Sequence, residues 1–309
     1  MNILVLGALG HLGSNFIISQ RKHYDNIVAI DKGSYCSQKE SLISEYVSKF
    51  IKADILSVNL FDVIVFNEID LILNAAGSTH VDRSYIYQDE FIRNNIVVVD
   101  YIMQTMSKLP HVKLIHLSTD EVYGDKYETP RTELDLPNPT NFYSASKASG
   151  DMIISSYLNA SCHNNVIALR PNNLTGAHQY PDKVIPLFVR KILKGETISI
   201  HGFGIQRRCF IRTELVCDII SELFYRSHRW PKDNPFVNIG HDDQSGISIL
   251  ELFRLICDKI GSDTSVEFTA GRQYNDKHYM ISNDKLKDIL EGSKLLIELG
   301  MNIRDIIHV

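Results

Sequence analysis

The chain opens on NILVL followed at once by the turn GALGHLG, and no other feature restricts its fold as strongly. Residues 3–6 are apolar without interruption and read as a buried first strand, after which the glycines allow a tight return into a helix. Gly7 permits the reversal, Gly10 lets a ligand approach the backbone, and Gly13 brings the helix close to the sheet; His11 and Leu12 sit inside the same turn. Strand, glycine turn and helix in that order make an anion site, because the unpaired N–H groups and the dipole of a helix amino terminus both favour negative charge.

The alternation continues. Apolar runs at 27–30, 71–73 and 114–117 each precede a stretch of helical length, with residues 84–109 and 144–158 the longest of these. This predicts the α/β class, a Rossmann-type doubly wound parallel sheet. Past Arg170 the pattern loosens at Pro171, Pro181 and Pro186, leaving short strands at 197–201 and 236–239 and a helix over 248–260. The expected division is a dinucleotide-binding domain over 1–170, with a return segment near 205–228, and a smaller α/β substrate-binding region over 171–309.

In VAIDKG, Asp31 closes the second strand, where a carboxylate accepts hydrogen bonds from adenosine ribose hydroxyls and repels a 2′-phosphate. NAD is therefore expected over NADP, although Lys32 next to it is a cation that could rescue a phosphate. Asp54 and Ile55 in KADI, after the third strand, are expected at the adenine, and Ala75 and Ala76, after the fourth, in the same groove. Composition is consistent with a small-molecule partner. A net charge of -5 with no basic run predicts neither nucleic-acid nor membrane-surface binding, and no run approaches the roughly 20 apolar residues of a membrane span. The amino terminus lacks the basic leader of a secretion signal, and the five scattered cysteines lack any CxxC pairing. Reduced thiols, no metal and a cytoplasmic location are expected.

Tyr143 and Lys147 in YSASK share one helix face at i,i+4, where an ammonium is expected to favour the phenolate and let it deprotonate an alcohol beside a nicotinamide. Thr119, Asp120 and Glu121 in STDEVYGD place a hydroxyl and two carboxyl groups where the fifth strand opens into the site. Two carboxyls with different proton affinities suit a reaction that needs both a general acid and a general base.

GALGHLG, DKGSYC, HVDRS, STDEVYGD, YSASKASGD and PDKVIPL together resemble the nucleotide-sugar 4,6-dehydratase family, the dTDP-glucose branch of the extended short-chain dehydrogenase/reductases, as far as about Tyr279. The resemblance implies oxidation at sugar C4, loss of water across C5–C6 with Asp120 as acid and Glu121 as base, and return of the hydride to C6 from a tightly bound, recycled NAD. It implies Thr119 at the C4 oxygen, Thr79 and His80 beside the hexose, Asn173 on the substrate, and Lys183, Arg208, Asn238 and Arg272 near the diphosphate and nucleoside. It also implies a homodimer joined through residues 84–109 and 144–158. Ser78, Leu174, Thr175, His201 and the run Gln273, Tyr274, Asn275 depart from the family pattern. They leave dTDP-glucose, UDP-glucose and UDP-N-acetylglucosamine all as candidate substrates, and C5 configuration open. Two alternatives need fewer of these residues: a 4-epimerase needs no Asp-Glu pair, and a cofactor-sensing regulatory protein needs no Tyr-Lys pair.

Overall fold

Each apolar run of the first half becomes a strand in the computed structural model, which describes residues 1–125, 128–160, 165–270, 276–301 and 303–306. These are β1 (Asn2–Leu6), β2 (Asn26–Asp31), β3 (Lys49–Lys52), β4 (Leu71–Asn74), β5 (Lys113–Leu117) and β6 (Val166–Pro171). Downstream follow β7 (Asn173–Thr175), β8 (Ile198–His201), β9 (Arg207–Arg208), β10 (Phe210–Arg212), β11 (Phe236–Ile239), β12 (Ile247–Ser248) and β13 (Val266–Thr269). Seven of them form one parallel sheet in the order β11-β6-β5-β4-β1-β2-β3. Its edge strand β11 comes from beyond the return segment expected at 205–228. The chain order reverses between β1 and β4, which is where an open α/β sheet leaves a crevice at its carboxyl edge.

The helices are α1 (His11–Gln20), α2 (Leu60–Phe66), α3 (Val81–Ile86), α4 (Gln88–Ile92), α5 (Val98–Met106), α6 (Phe142–Ala160), α7 (Val184–Leu193), α8 (Thr213–Tyr225) and α9 (Ile249–Ile260), followed by three short ones, α10 (Asp284–Ile289), α11 (Leu295–Leu299) and α12 (Ile303–Ile306). They cover both faces of the sheet, which is why its strands are apolar throughout rather than alternating. Ile3 and Val5 pack with Phe16 of α1 and Leu215 of α8, while Leu4 and Leu6 point the other way, toward Ile102 of α5 and Ile154 of α6. Each such side chain contributes about 1.5–3 kcal/mol by leaving water. A separate apolar cluster joins α7, α9 and β8 through Phe188, Phe253, Ile198 and Ile256. Ser248 and Glu251 form a reciprocal capping box at the start of α9, satisfying two backbone donors there.

One expected helix is not continuous. Residues 84–109 are divided among α3, α4, a wide π-type turn at Arg93–Val97, and α5. The first break falls at Tyr87, whose backbone leaves the helical region (φ -117, ψ 52), and the π turn presents Asn95 sideways. Asn95 Oδ1 accepts from Ser78 N at 2.9 Å, while its Nδ2 donates to Ser78 O at 2.9 Å and Ser146 Oγ at 2.8 Å. The irregular turn thus clamps the loop after β4 to α6, beside Lys147, as such bulges often do at functional sites.

Candidate active site

The glycine turn is shaped by close approach. Gly7 has φ +77, and a Cβ on it would lie 2.6 Å from the Ala76 backbone. A Cβ on Gly13 would lie 2.2 Å from the Gly7 carbonyl oxygen, so α1 rests directly on the turn. Two adjoining cavities open here. One, of about 470 Å³, is lined by Gly7, Gly10, Asp31, Lys32, Asp54, Ile55, Ala75 and Ala76. The other, of about 500 Å³, takes in His11, Leu12, Thr79, His80, Thr119, Asp120, Glu121, Tyr143, Lys147, Asn173, Lys183 and Arg208. Gly10, Tyr35 and Thr79 border both, so they form one bent cleft along the carboxyl edge of the sheet.

Asp31 accepts from Leu9 N at 2.9 Å and Gly33 N at 2.7 Å, which fixes its carboxylate at the cavity wall as well as pinning its own turn. Lys32 donates to Asp54 at 3.2 Å and Asn94 at 2.9 Å, so its charge already has partners. Burial and the neighbouring Lys183 hold His11 down at about 4, leaving the imidazole neutral at physiological pH. Gly7, Gly10 and the Asp31 carboxylate offer the close backbone approach and ribose acceptor that NAD requires, and the cradle fits that group.

At the end of β5 the backbone turns through a short helical segment, Asp120–Tyr123, capped by Thr119 Oγ1, which accepts from Glu121 N at 3.3 Å. The two carboxyls are held by different partners. Asp120 accepts from Asn172 Nδ2 at 2.7 Å, and burial with the Glu121 charge pushes its pKa up to about 7. Glu121 accepts from Asn141 Nδ2 at 3.4 Å and meets the Tyr279 hydroxyl oxygen at 3.4 Å; burial raises it, Arg208 opposes this, and Asp276 raises it further. Asn141 also caps α6 through Ser144 N at 2.9 Å, so the helix that carries Tyr143 starts from a residue touching Glu121.

Tyr143 and Lys147 both line the cleft, but their electrostatics differ from expectation. Burial, reinforced by Glu121, pushes the Tyr143 phenol upward, and only a hydrogen bond with Thr119 draws it down appreciably. The Lys147 ammonium instead donates to the Leu117 carbonyl, and burial lowers it to about 8, with Asp151 one turn on opposing the shift. Burial thus pushes both groups toward their neutral forms. Asp151 is itself paired with Arg170 at 2.9 Å, and Arg170 also donates to the Tyr123 hydroxyl at 2.7 Å.

Asn238 is the expected site residue that the structure places elsewhere. It is 0% exposed in β11, accepting from the Tyr123 hydroxyl at 2.9 Å and donating to Arg131 O at 3.1 Å, and so braces the sheet edge away from the cleft. Arg272, with Gln273, Tyr274 and Asn275, lies outside the described residues. Asn173 Oδ1 is buried at the cavity wall without a protein partner, as a ligand-facing amide would be. Asn95, Asn141, Asn172, Asp276 and Tyr279 were not singled out in the sequence. The doublets Asn94-Asn95 and Asn172-Asn173 were the available signals, polar pairs at positions where apolar residues would continue the pattern.

A doubly wound sheet brings a glycine turn, the carboxylate that closes its second strand and a Tyr-Lys pair into one cleft, the arrangement of a dinucleotide-binding fold. Residues 3–240 match the model of the NAD dependent epimerase/dehydratase family, and the chain belongs to that family. A trifunctional UDP-glucose 4,6-dehydratase/UDP-4-keto-6-deoxy-D-glucose 3,5-epimerase/UDP-4-keto-L-rhamnose-reductase of Arabidopsis thaliana is 33% identical over 93% of this chain and 44% of its own length. A mouse (Mus musculus) dTDP-D-glucose 4,6-dehydratase is 32% identical over 97% of this chain and 86% of its own. The chain spans about half the length of the first curated relatives it matches. A dTDP-glucose 4,6-dehydratase of Streptomyces venezuelae, solved with NAD, superposes with a TM-score of 0.85 at 26% identity, covering 99% of this chain and 94% of that one.

Proposed function

We propose that the chain is an NAD-dependent nucleotide-sugar 4,6-dehydratase, taking an NDP-hexose to the 4-keto-6-deoxy sugar. The observation that carries this reading is the Asp120–Glu121 pair, two adjacent carboxyls with separate hydrogen-bond partners, facing the same cavity as Tyr143. Nucleotide-sugar 4-epimerases are also among the structural neighbours, so the fold alone does not choose between the two activities. An epimerase has no proton to remove at C5 and no hydroxyl to expel at C6.

Bound NAD would supply the store for two electrons drawn from C4 and returned at C6, with no net consumption. The protein's residues do the rest. Lys147, lowered to about 8 by burial, can accept the Tyr143 proton as its neutral amine, and the phenolate so formed takes the C4 hydroxyl proton. Once C4 is a carbonyl, the C5 hydrogen is acidic and Glu121 removes it. Asp120, about half protonated near neutrality because burial raises its pKa to about 7, gives its proton to the departing C6 hydroxyl, which leaves as water. Asn173, Thr79 and His80 are assigned to the hexose, and Lys183 and Arg208 to the diphosphate.

Exposed apolar residues on α3, α4 and α6, among them Ile86 at 72% and Met152 at 59%, support a homodimer closed through these helices. No helix of the described residues is long and apolar enough to cross a membrane, and a cytoplasmic enzyme is the proposal. The test is incubation with dTDP-glucose, UDP-glucose and UDP-N-acetylglucosamine, followed by NMR for a 4-keto-6-deoxy product. Glu121→Gln should accumulate a 4-keto hexose with reduced cofactor, because the amide keeps the shape but cannot accept the C5 proton. Full turnover by that variant at the wild-type rate would refute the assignment.

A further inference from the structure

A second carboxylate stands behind Glu121, and the two share their donors. Asp276 is buried at the cavity wall, where its Oδ1 accepts from Thr140 Oγ1 at 2.6 Å. Its Oδ2 accepts from the Tyr279 hydroxyl and from Asn141 Nδ2 at 3.4 Å. Those same two groups reach Glu121 Oε2, each at 3.4 Å. A tyrosine hydroxyl has one hydrogen and two lone pairs. With its hydrogen committed to the nearer Asp276, Tyr279 turns acceptor electrons toward Glu121. An ionised Glu121 gains nothing from such a neighbour, whereas a protonated one can donate to it.

We propose that Asp276, acting through Tyr279, is the positioning residue that makes Glu121 a base: it holds the tyrosine hydrogen, so that the oxygen accepts only from the protonated carboxyl. The inference rests on the dehydratase reading for its chemistry, though not for its geometry. In the elimination, the electron pair of the C5–H bond passes into the enolate formed with the C4 carbonyl, and the proton lands on Glu121 Oε2. The new O–H donates to Tyr279, whose own hydrogen stays on Asp276. No proton leaves the trio, so the one taken remains available for return to C5.

Every charged or titratable group packed around Glu121 bears on this balance. Asp120 adjoins it on the same turn, Tyr143 faces it from α6, Lys183 from the approach to α7, and Arg208 from β9. Arg208 lies over the Tyr279 ring at 5.0 Å and donates to the Asp276 carbonyl at 3.1 Å. Without Asp276, that guanidinium would act on Glu121 with less opposition, favouring the ionised and weaker base.

The experiment uses Asp276→Asn, Tyr279→Phe and, as conservative rescue, Asp276→Glu. Carbon-13 NMR of the glutamate carboxyls gives the Glu121 titration directly, with its resonance identified by loss in Glu121→Gln. Both disruptive variants should move the Glu121 midpoint down, by about one pH unit or more for Asp276→Asn, and Asp276→Glu should largely restore it. In turnover the acid limb of kcat should move to lower pH and the isotope effect of a C5-deuterated substrate should grow, with KM little changed. Tyr279→Phe removes one hydroxyl and keeps the ring against Arg208, so it remains informative if Asp276→Asn fails to fold. A Glu121 midpoint that stays put or rises in either folded variant overturns the proposal. A wild-type protein that makes no 4-keto-6-deoxy product instead overturns the dehydratase reading, and the titration still decides the role of Asp276.

Discussion

Replacing Asp120 with asparagine should stabilise the protein at alkaline pH while removing its general acid. The Asp120 side chain is 2% exposed, and burial, followed by the adjacent Glu121 charge, raises its pKa from the ordinary 3.8 to about 7 against the Asn172 hydrogen bond. A carboxyl whose folded pKa lies above its unfolded one binds its proton more tightly when folded. Stability is therefore fullest at low pH, declines as pH rises from the unfolded value, and levels off above the folded one. A rise from 3.8 to about 7 amounts to roughly 4 kcal/mol at pH 8 and about half that or less near pH 5. The amide introduced by Asp120→Asn would keep the shape and an oxygen to accept from Asn172, with no charge to bury. Urea unfolding of both proteins across that range should show the variant's advantage growing with pH, while kcat for dehydration falls about 10²- to 10⁴-fold. An advantage of equal size at pH 5 and pH 8, or none at pH 8, would mean that burial does not keep Asp120 protonated.

Asp31→Asn should narrow the preference for NAD over NADP in equilibrium binding, since the acceptor geometry survives and the charge facing a 2′-phosphate does not; an unchanged ratio would count against Asp31. Arg170→Met should cost about 3–5 kcal/mol in denaturant unfolding by leaving the Asp151 charge buried and unpaired, and adding Asp151→Leu should recover most of that loss. Ile86→Glu combined with Met152→Glu should convert a homodimer to monomer in light scattering, and a wild-type monomer at micromolar concentration would refute the interface.

The parts of the fold that were legible are those set by neighbouring residues. GALGHLG encodes its turn locally, because Gly7 needs its positive φ and Gly13 its missing Cβ whatever packs elsewhere. Tyr143 and Lys147 share a face through helical spacing alone. Residues 84–109 misled because apolar periodicity continues through them, while the breaks come from Tyr87 and from Asn95 reaching a loop and a second helix. Asn238 misled in the opposite way. The family resemblance placed it near the nucleotide, yet Tyr123 and Arg131, far away in sequence, satisfy it inside the sheet edge.

Proton affinities were the least legible property, and the reason is physical. The spacing of Tyr143 and Lys147 said that an ammonium could stabilise a phenolate, but it could not show that burial pushes each group toward its neutral form. Glu121 gives the same lesson across a longer span. Its position after β5 was readable from STDEVYGD, whereas Tyr279, and Asp276, which shares the Asn141 donor with it, arrive from a segment placed beside it only by the folding of the second half. A motif can therefore name the acid and the base, but which carboxyl holds its proton at neutral pH depends on what the rest of the chain packs against each one. Asp120 meets an amide donor and a neighbouring carboxylate; Glu121 meets a tyrosine whose hydrogen is already taken. The proposed division of roles between the two carboxyl groups rests on that difference in surroundings.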